Sequence, residues 1–317
     1  MLNNSADIYI GIDTSNYTTS VAVLDSDFKI IANLKKLLPV KEGERGLRQS
    51  DAVFHHTAAL PELISLAKEY TAGKNIVAVG VSARPTDREG SYMPCFLPGV
   101  ASANALGLGA ECPVYDFSHQ CGHIMAALYS ANALHLMNKR FAAFHVSGGT
   151  TDILLCEPGY DNKPFEVTRI GGTNDINAGQ AIDRAGVYMG LRFPAGPEME
   201  RLARENTVKF EKTKLSVKGL ECNLSGLENK ACGLYDGGAS KETVAAFVID
   251  FISRTLIKLS EDLREEYPEI PIVYAGGVMS CSLIKEKLSR FGSFALPAFS
   301  ADNAAGIALL AGRAHFK

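Results

Sequence analysis

The sequence predicts an α/β protein built from two copies of one β-hairpin core, one copy in each of two lobes. Three observations carry this. An apolar run, Ile8–Ile12, enters a hydroxyl-rich turn and returns as Val21–Leu24. The same design recurs as Phe141–Val146, the turn Ser147-Gly148-Gly149-Thr150-Thr151-Asp152, and Ile153–Cys156. Helical patterns and further short apolar runs alternate with and follow the hairpins, as in an α/β fold. Duplicated halves usually place the ligand in the cleft between them, so the active site is expected between the lobes.

In chain order, Asp13-Thr14-Ser15-Asn16-Tyr17-Thr18-Thr19-Ser20 is the first turn. Asp51–Tyr70 has helical spacing, with Pro61 expected to interrupt it. Ile76–Val81 is a strand, and Ser82–Gly99, rich in Pro and Gly, is expected to be a long loop. Val100–Leu108 is a small-residue helix and Pro113–Asp116 a brief strand. Ser118 can cap a helix running to about Tyr129. Gly171–Gly196 is punctuated by glycine and holds a helix near Ala181–Leu191, while Thr207–Gly237 is polar and takes no assignment. Thr243–Leu263 is an amphipathic helix. Ile272–Ala275 is a buried-type strand, followed by Gly276-Gly277 and a helix. Ala304–His315 is an Ala/Gly-rich helix that needs close packing. These elements suggest residues 1–112 as the N-terminal lobe and 113–302 as the C-terminal lobe, with helix 303–317 returning to the first.

A chain of 317 residues has room for about two domains. Apolar residues at 46% and charged residues at 21% exclude a disordered or fibrous chain. A net charge of −3 excludes a strongly basic nucleic-acid binder in bulk, though not a local basic patch. The densest basic cluster is Lys35, Lys36, Lys41, Arg45 and Arg48, diluted by Glu42 and Glu44. A solvated face is its plainer reading, and a rim for RNA its functional one. Seven cysteines without a CxxC pair point to a reducing, cytoplasmic setting. Met1–Asp7 lacks the pattern of a signal peptide, and without an 18-residue apolar run no membrane span is expected.

The glycine turns are the first candidates for chemistry. In Ser147-Gly148-Gly149-Thr150-Thr151, backbone N–H groups can converge where a Cβ would collide with a phosphate. An ordinary hairpin turn is the alternative. Gly276-Gly277, between strand and helix, can let a nucleotide lie against the helix start. In His119-Gln120-Cys121-Gly122-His123, a helix would stack two imidazoles on one face, spacing that suits one divalent metal. Two unconnected polar side chains is the plainer reading. The metalloprotease pattern needs a Glu after the first His; Gln120 cannot act as that base, which disfavours peptide hydrolysis. Asp302 could complete the site and leave open coordination positions, although it also reads as a helix N-cap. His55 and His56 read as surface residues, His135 and His315 as peripheral, and His145 matters more for its backbone.

Together these motifs resemble the TsaD family of tRNA threonylcarbamoyltransferases, also called glycoproteases (Gcp), over nearly the whole chain. The resemblance is carried by Gly11-Ile12-Asp13-Thr14-Ser15, by His119-Gln120-Cys121-Gly122-His123 and by Val146-Ser147-Gly148-Gly149-Thr150-Thr151. It continues in Gly179-Gln180-Ala181-Ile182-Asp183-Arg184, Pro194-Ala195-Gly196-Pro197 and Leu224-Ser225-Gly226-Leu227. Gly276-Gly277-Val278-Met279-Ser280-Cys281 and Ala301-Asp302-Asn303-Ala304-Ala305 complete it. It implies the actin/hexokinase-like (ASKHA) fold and one metal, iron or zinc, on His119, His123 and Asp302. It implies nucleotide or acyl-adenylate contacts at His145, Val146, Ser147, Gly148, Gly149, Asp183 and Gly196, with Cys281 on the adenosine side. The implied reaction moves threonylcarbamoyl from its adenylate to an adenosine amine of tRNA, with tRNA and subunits of a modification complex as partners.

The chain departs from the family pattern at Tyr17 and Thr18, where the family has acids, and at Thr150, where it has His. Gln180 replaces an acid and Cys281 an Asn. This marks a divergent paralogue. The alternatives are a non-catalytic, nucleotide-binding scaffold, a metalloprotease, or a small-molecule kinase with Asp13 as its base.

Overall fold

A computed structural model describes residues 6–15, 17–39, 47–160, 163–300 and 304–316. They fall into two compact units. The first takes the described residues of Met1–Tyr129, Gly159–Phe165 and Ala301–Lys317; the second takes those of Ser130–Pro158 and Glu166–Ser300.

The first unit contains β1 (Asp7–Asp13), β2 (Thr18–Asp25), β3 (Ile30–Leu37), α1 (Gln49–Thr71), β4 (Asn75–Arg84), α2 (Leu97–Ala110) and β5 (Val114–Ser118), followed by α3 (His119–Ser130). The expected hairpin forms, with Asp13 opposite Ser20. β4 lies parallel to β1 and β5 parallel to β4, giving the order β3-β2-β1-β4-β5. Alternation along β1 sends Ile8, Ile10 and Ile12 into a core with Leu60, Leu63 and Ala67 of α1 and Ala103 of α2. The division between units follows Tyr129, where the sequence suggested 112. β5 hydrogen-bonds into the first sheet, and periodicity does not say which sheet a strand joins.

Pro61 does not interrupt α1, contrary to expectation. Pro61 and Thr57 are both exposed, so the carbonyl released by the missing N–H faces water. The loop expected to Gly99 also ends sooner. A 3₁₀ turn at Pro94–Phe96 leads straight into α2.

The second unit contains β6 (Phe141–Val146), β7 (Thr151–Pro158), β8 (Phe165–Thr173), α4 (Ala178–Tyr188), α5 (Gly196–Glu205), β9 (Val217–Lys218), β10 (Glu221–Cys222), α6 (Ser225–Asp236) and α7 (Lys241–Glu266). It continues with β11 (Ile272–Ala275), α8 (Ser282–Leu288), β12 (Ser293–Phe294) and α9 (Pro297–Ser300). Its sheet runs β12-β11-β6-β7-β8-β10-β9. Read from the other edge, β8-β7-β6-β11-β12 repeats the order of the first sheet, so the core is duplicated. Phe144, Val146, Ile153 and Leu155 pack with Ile182, Met199, Phe247 and Leu256 of the helices on one face.

The unassigned stretch Thr207–Gly237 contains β9, β10 and α6. Asp175 holds the start of α6, accepting from the N–H groups of Leu224 at 2.7 Å and Ser225 at 3.0 Å. Partial burial works against its ionisation. These donors and the Ile176 N–H outweigh that and hold the carboxyl at about 2. The folded-state value lies below the ordinary one, so the stabilisation is present above about pH 4 and lost as pH falls toward 2. Asp175 is exposed, and solvent screening limits this contribution to about 1 kcal/mol. Asp175→Ala is expected to cost that amount at pH 7 in urea unfolding, with the gap to wild type closing at low pH.

The last helix, α10 (Ala305–His315), packs on β1, β2 and β4 of the first unit. A Cβ at Gly11 would lie 2.4 Å from the Ala304 carbonyl oxygen, and one at Gly80 would lie 2.8 Å from that of Ile307. This is the close packing the Ala/Gly composition called for. No described helix is long and apolar enough to cross a membrane. All seven cysteines are free thiols.

Candidate functional site

In the first unit, β1, β4 and β5 are parallel neighbours, so their C-terminal ends converge. Asp13 ends β1, Ser82 lies near the end of β4, and Ser118 ends β5 and leads into α3. Ser118 Oγ accepts the Cys121 N–H at 3.2 Å, the expected cap. One helical turn brings His119 and His123 together, with ring centroids 4.3 Å apart and planes at 74°. His119 Nδ1 lies 3.1 Å from Asp13 Oδ1. Asp13 is fully buried and also accepts hydrogen bonds from Ser15 Oγ at 2.6 Å and from Ser82 Oγ.

A second carboxylate secures this helix. Asp87 accepts from Arg84 at 2.6 and 3.0 Å, from Ser118 Oγ at 2.8 Å and from Cys121 Sγ at 3.1 Å. Burial opposes its charge, but the donors win and hold the carboxyl below its ordinary range. The Gln120 N–H bonds to the Pro85 carbonyl at 3.1 Å. Two adjacent imidazoles on a capped, anchored helix fit a divalent cation as nitrogen ligands. Among the described residues no group of three potential ligands occurs, and Asp302 lies outside the described residues.

The second unit holds a cavity of about 420 Å³. It is lined by five of the predicted nucleotide residues, Gly148, Asp183, Gly196, Gly277 and Cys281. A Cβ at Gly148, Gly196 or Gly277 would meet nothing within 4 Å, so these glycines leave open space. The volume and the glycine lining fit a nucleotide. Other glycines do the fitting. Gly179 of α4 abuts the turn, where its Cβ would lie 2.6 Å from Gly148 N. Gly276 adopts φ +101°, and its Cβ would lie 2.3 Å from the Val146 carbonyl oxygen.

Asp183 Oδ1 accepts the Ala195 N–H at 2.7 Å; burial raises its carboxyl, and the Ala195 and Gly196 N–H groups pull it back. Burial chiefly, with Glu200 adding, pushes the Cys281 thiol up, so it stays protonated at neutral pH. Glu200 also lines the cavity and accepts from the Ser282 N–H at 3.0 Å and from Arg204 at 3.2 Å.

The remaining predicted residues lie outside that lining. Val146 is buried in the core. His145 sits in β6 opposite Asp152 and Ala275. The N–H groups of Gly149 and Thr150 turn onto Ser147 Oγ at 3.2 and 3.1 Å, rather than converging on open space as the turn suggested. Gln180 completes a capping box with Asn177 at the start of α4. His56 is not a surface residue: it is fully buried, with Nδ1 2.8 Å from Thr19 Oγ1. In the basic cluster, Lys36 pairs with Glu62 and Arg48 precedes α1, while Lys41 and Arg45 lie outside the described residues. Sequence reasoning missed the Asp13–His119 pairing, Asp87 and Glu200. The Arg84–Asp87 and Glu200–Arg204 pairs are local, but the partners that tie these carboxylates to the site, namely His119 for Asp13, Ser118 and Cys121 for Asp87 and Ser282 for Glu200, are remote in sequence, and no local pattern signals them.

The sequence model of the family described as tRNA N6-adenosine threonylcarbamoyltransferase matches residues 38–309. A protein of that description from Streptococcus equi subsp. zooepidemicus is 28% identical over 294 residues, covering 89% of this chain and 82% of its own. One from Archaeoglobus fulgidus is 27% identical over 308 residues, covering 95% and 89%. Among solved structures, full-length HypF in its phosphate- and nucleotide-bound form superposes with a TM-score of 0.60 at 13% identity, covering 99% of this chain and 55% of that one. The (R)-2-hydroxyglutaryl-CoA dehydratase component A of Acidaminococcus fermentans gives 0.56 at 14% identity, covering 98% and 99%. A ROK family glucokinase from Streptomyces griseus gives 0.52 at 14%, covering 96% and 99%. These likenesses establish an α/β fold of the actin/hexokinase-like (ASKHA) type.

Proposed function

Because the chain belongs to the TsaD family of tRNA N6-adenosine threonylcarbamoyltransferases, we propose that it moves a threonylcarbamoyl or related carbamoyl group from an acyl-adenylate to an amine. The acceptor is the exocyclic amine of a tRNA adenosine, or a related amine. A C–N bond forms at the carbonyl carbon, the C–O bond to the adenylate phosphate breaks, and AMP leaves. The single observation behind this reading is the cavity lined by Gly148, Gly196 and Gly277, whose missing side chains leave room for a nucleotide.

ATP or the acyl-adenylate would occupy that cavity. The N-terminus of α5, which starts at Gly196, favours a phosphate there. Asp183, held by backbone donors, would accept a hydrogen bond from a nucleotide hydroxyl. Gly276 and Gly179 would keep the surrounding backbone close enough to shape the pocket. His145, Val146, Ser147 and Gly149 would support its turn, and Cys281 would lie on its adenosine side.

His119 and His123 would hold one divalent metal, iron or zinc, with Asp302 as the third protein ligand implied by the family. Such an ion, when bound, supplies a Lewis acid for a carbonyl or phosphate oxygen. Partner subunits and tRNA complete the proposed assembly. Seven free thiols accord with a reducing cytoplasm.

The test is incubation with threonylcarbamoyl-adenylate and unmodified tRNA, alone and with subunits of a modification complex, followed by nucleoside analysis. Modified adenosine is the expected product. The absence of transfer in both settings would move the reading to a non-catalytic, nucleotide-binding scaffold. Two observations lean that way: Gln180 is absorbed into a helix cap, and a protonated Cys281 lines the cavity.

A further inference from the structure

We propose that Asp13 is the positioning carboxylate of His119, selecting the ring nitrogen that His119 offers to a metal. The inference rests on the metal reading given above and deepens it.

An ionised carboxylate only accepts hydrogen bonds. With Asp13 ionised, the proposal assigns the proton to His119 Nδ1, 3.1 Å from Asp13 Oδ1. The neutral ring then has its lone pair on Nε2, the nitrogen able to ligate a cation. Asp13 is itself held in place. Its carboxylate is fully buried, with Ser15 donating to Oδ2 and Ser82 to Oδ1. These donors offset the cost of burying the charge. The carboxylate belongs to β1 and the imidazole to α3, so the contact fixes the ring against an element other than its own helix. A ligating His that donates its second N–H to a carboxylate gains basicity and a fixed orientation. Loss of such a partner weakens metal binding about 10–100-fold. A purely structural Asp13 would alter stability and leave the metal affinity of the folded protein unchanged.

Two measurements decide the point. The first is long-range ¹H–¹⁵N NMR of the metal-free wild-type protein, with the His119 ring assigned by its loss in His119→Ala. The expected result is the Nδ1–H tautomer, and an Nε2–H tautomer overturns the proposal. This measurement needs no Asp13 variant, so it stands even if such a variant does not fold. The second is cobalt(II) titration followed by visible absorption, comparing wild type with Asp13→Asn. The variant is expected to bind at least tenfold more weakly, with the ligand-field bands shifted. Ser82→Ala, which removes one hydrogen bond to the carboxylate and keeps both Asp13 and His119, is expected to change affinity less than about threefold. Equal cobalt affinity in wild type and folded Asp13→Asn overturns the proposal. No cobalt uptake by the wild type overturns the metal reading itself, whereas uptake with the wrong tautomer overturns only the role of Asp13.

Discussion

Replacing His119 or His123 with alanine is expected to take the purified protein from about one bound divalent ion to less than about a tenth, and to abolish carbamoyl transfer. The reason is chemical. Two neutral imidazoles one helical turn apart supply the nitrogen ligands of the proposed site, and either one alone leaves a cation held mainly by oxygen and water. His119→Ala carries an added cost. It removes a donor from the fully buried Asp13 carboxylate, a loss of about 1–3 kcal/mol that thermal melts would register. Metal analysis of wild type and both variants is the check. The same metal content in all three would remove the metal from this protein.

The second large effect separates two adjacent glycines. Gly276→Ala places a side chain on a backbone at φ +101° and drives its Cβ to 2.3 Å from the Val146 carbonyl oxygen. The obstacle is backbone in a central strand, so no side chain can swing aside. A loss of about 3 kcal/mol or more is expected, with a fall in Tm on the order of 6 °C. Gly277→Ala meets nothing within 4 Å and has no left-handed backbone to strain, so stability should stay within about 0.5 kcal/mol of wild type. Its methyl group enters the space reserved for the nucleotide, and nucleotide affinity should fall about tenfold or more. Melting curves and nucleotide titration of the pair decide this. Unchanged nucleotide affinity in Gly277→Ala would place the nucleotide elsewhere.

Much of the architecture was legible because it is local. Period-two and continuous apolar runs mark β1, β2, β6 and β7, the hydroxyl-rich turns mark their reversals, and the repeated design announces the duplication. Ser118 before an apolar helix reads as a cap, and the cap forms. The His119/His123 pair is a four-residue pattern, which any helix converts into neighbouring rings. β3 was harder: Ile30–Leu37 mixes apolar residues with two lysines on an outer strand. Pro61 misled because the penalty for an interior proline falls when the orphaned carbonyl can face water.

The two-hairpin α/β plan, the turn glycines and the paired imidazoles are written in the amino-acid order alone, since each depends on residues a few positions apart. Folding in three dimensions was needed to show that β5 joins the first sheet, that Asp13 meets His119, and that Gly148, Asp183, Gly196, Gly277 and Cys281 line one cavity. Those outcomes depend on hydrogen-bond pairing and packing between segments remote along the chain, where no periodicity links one residue to its partner.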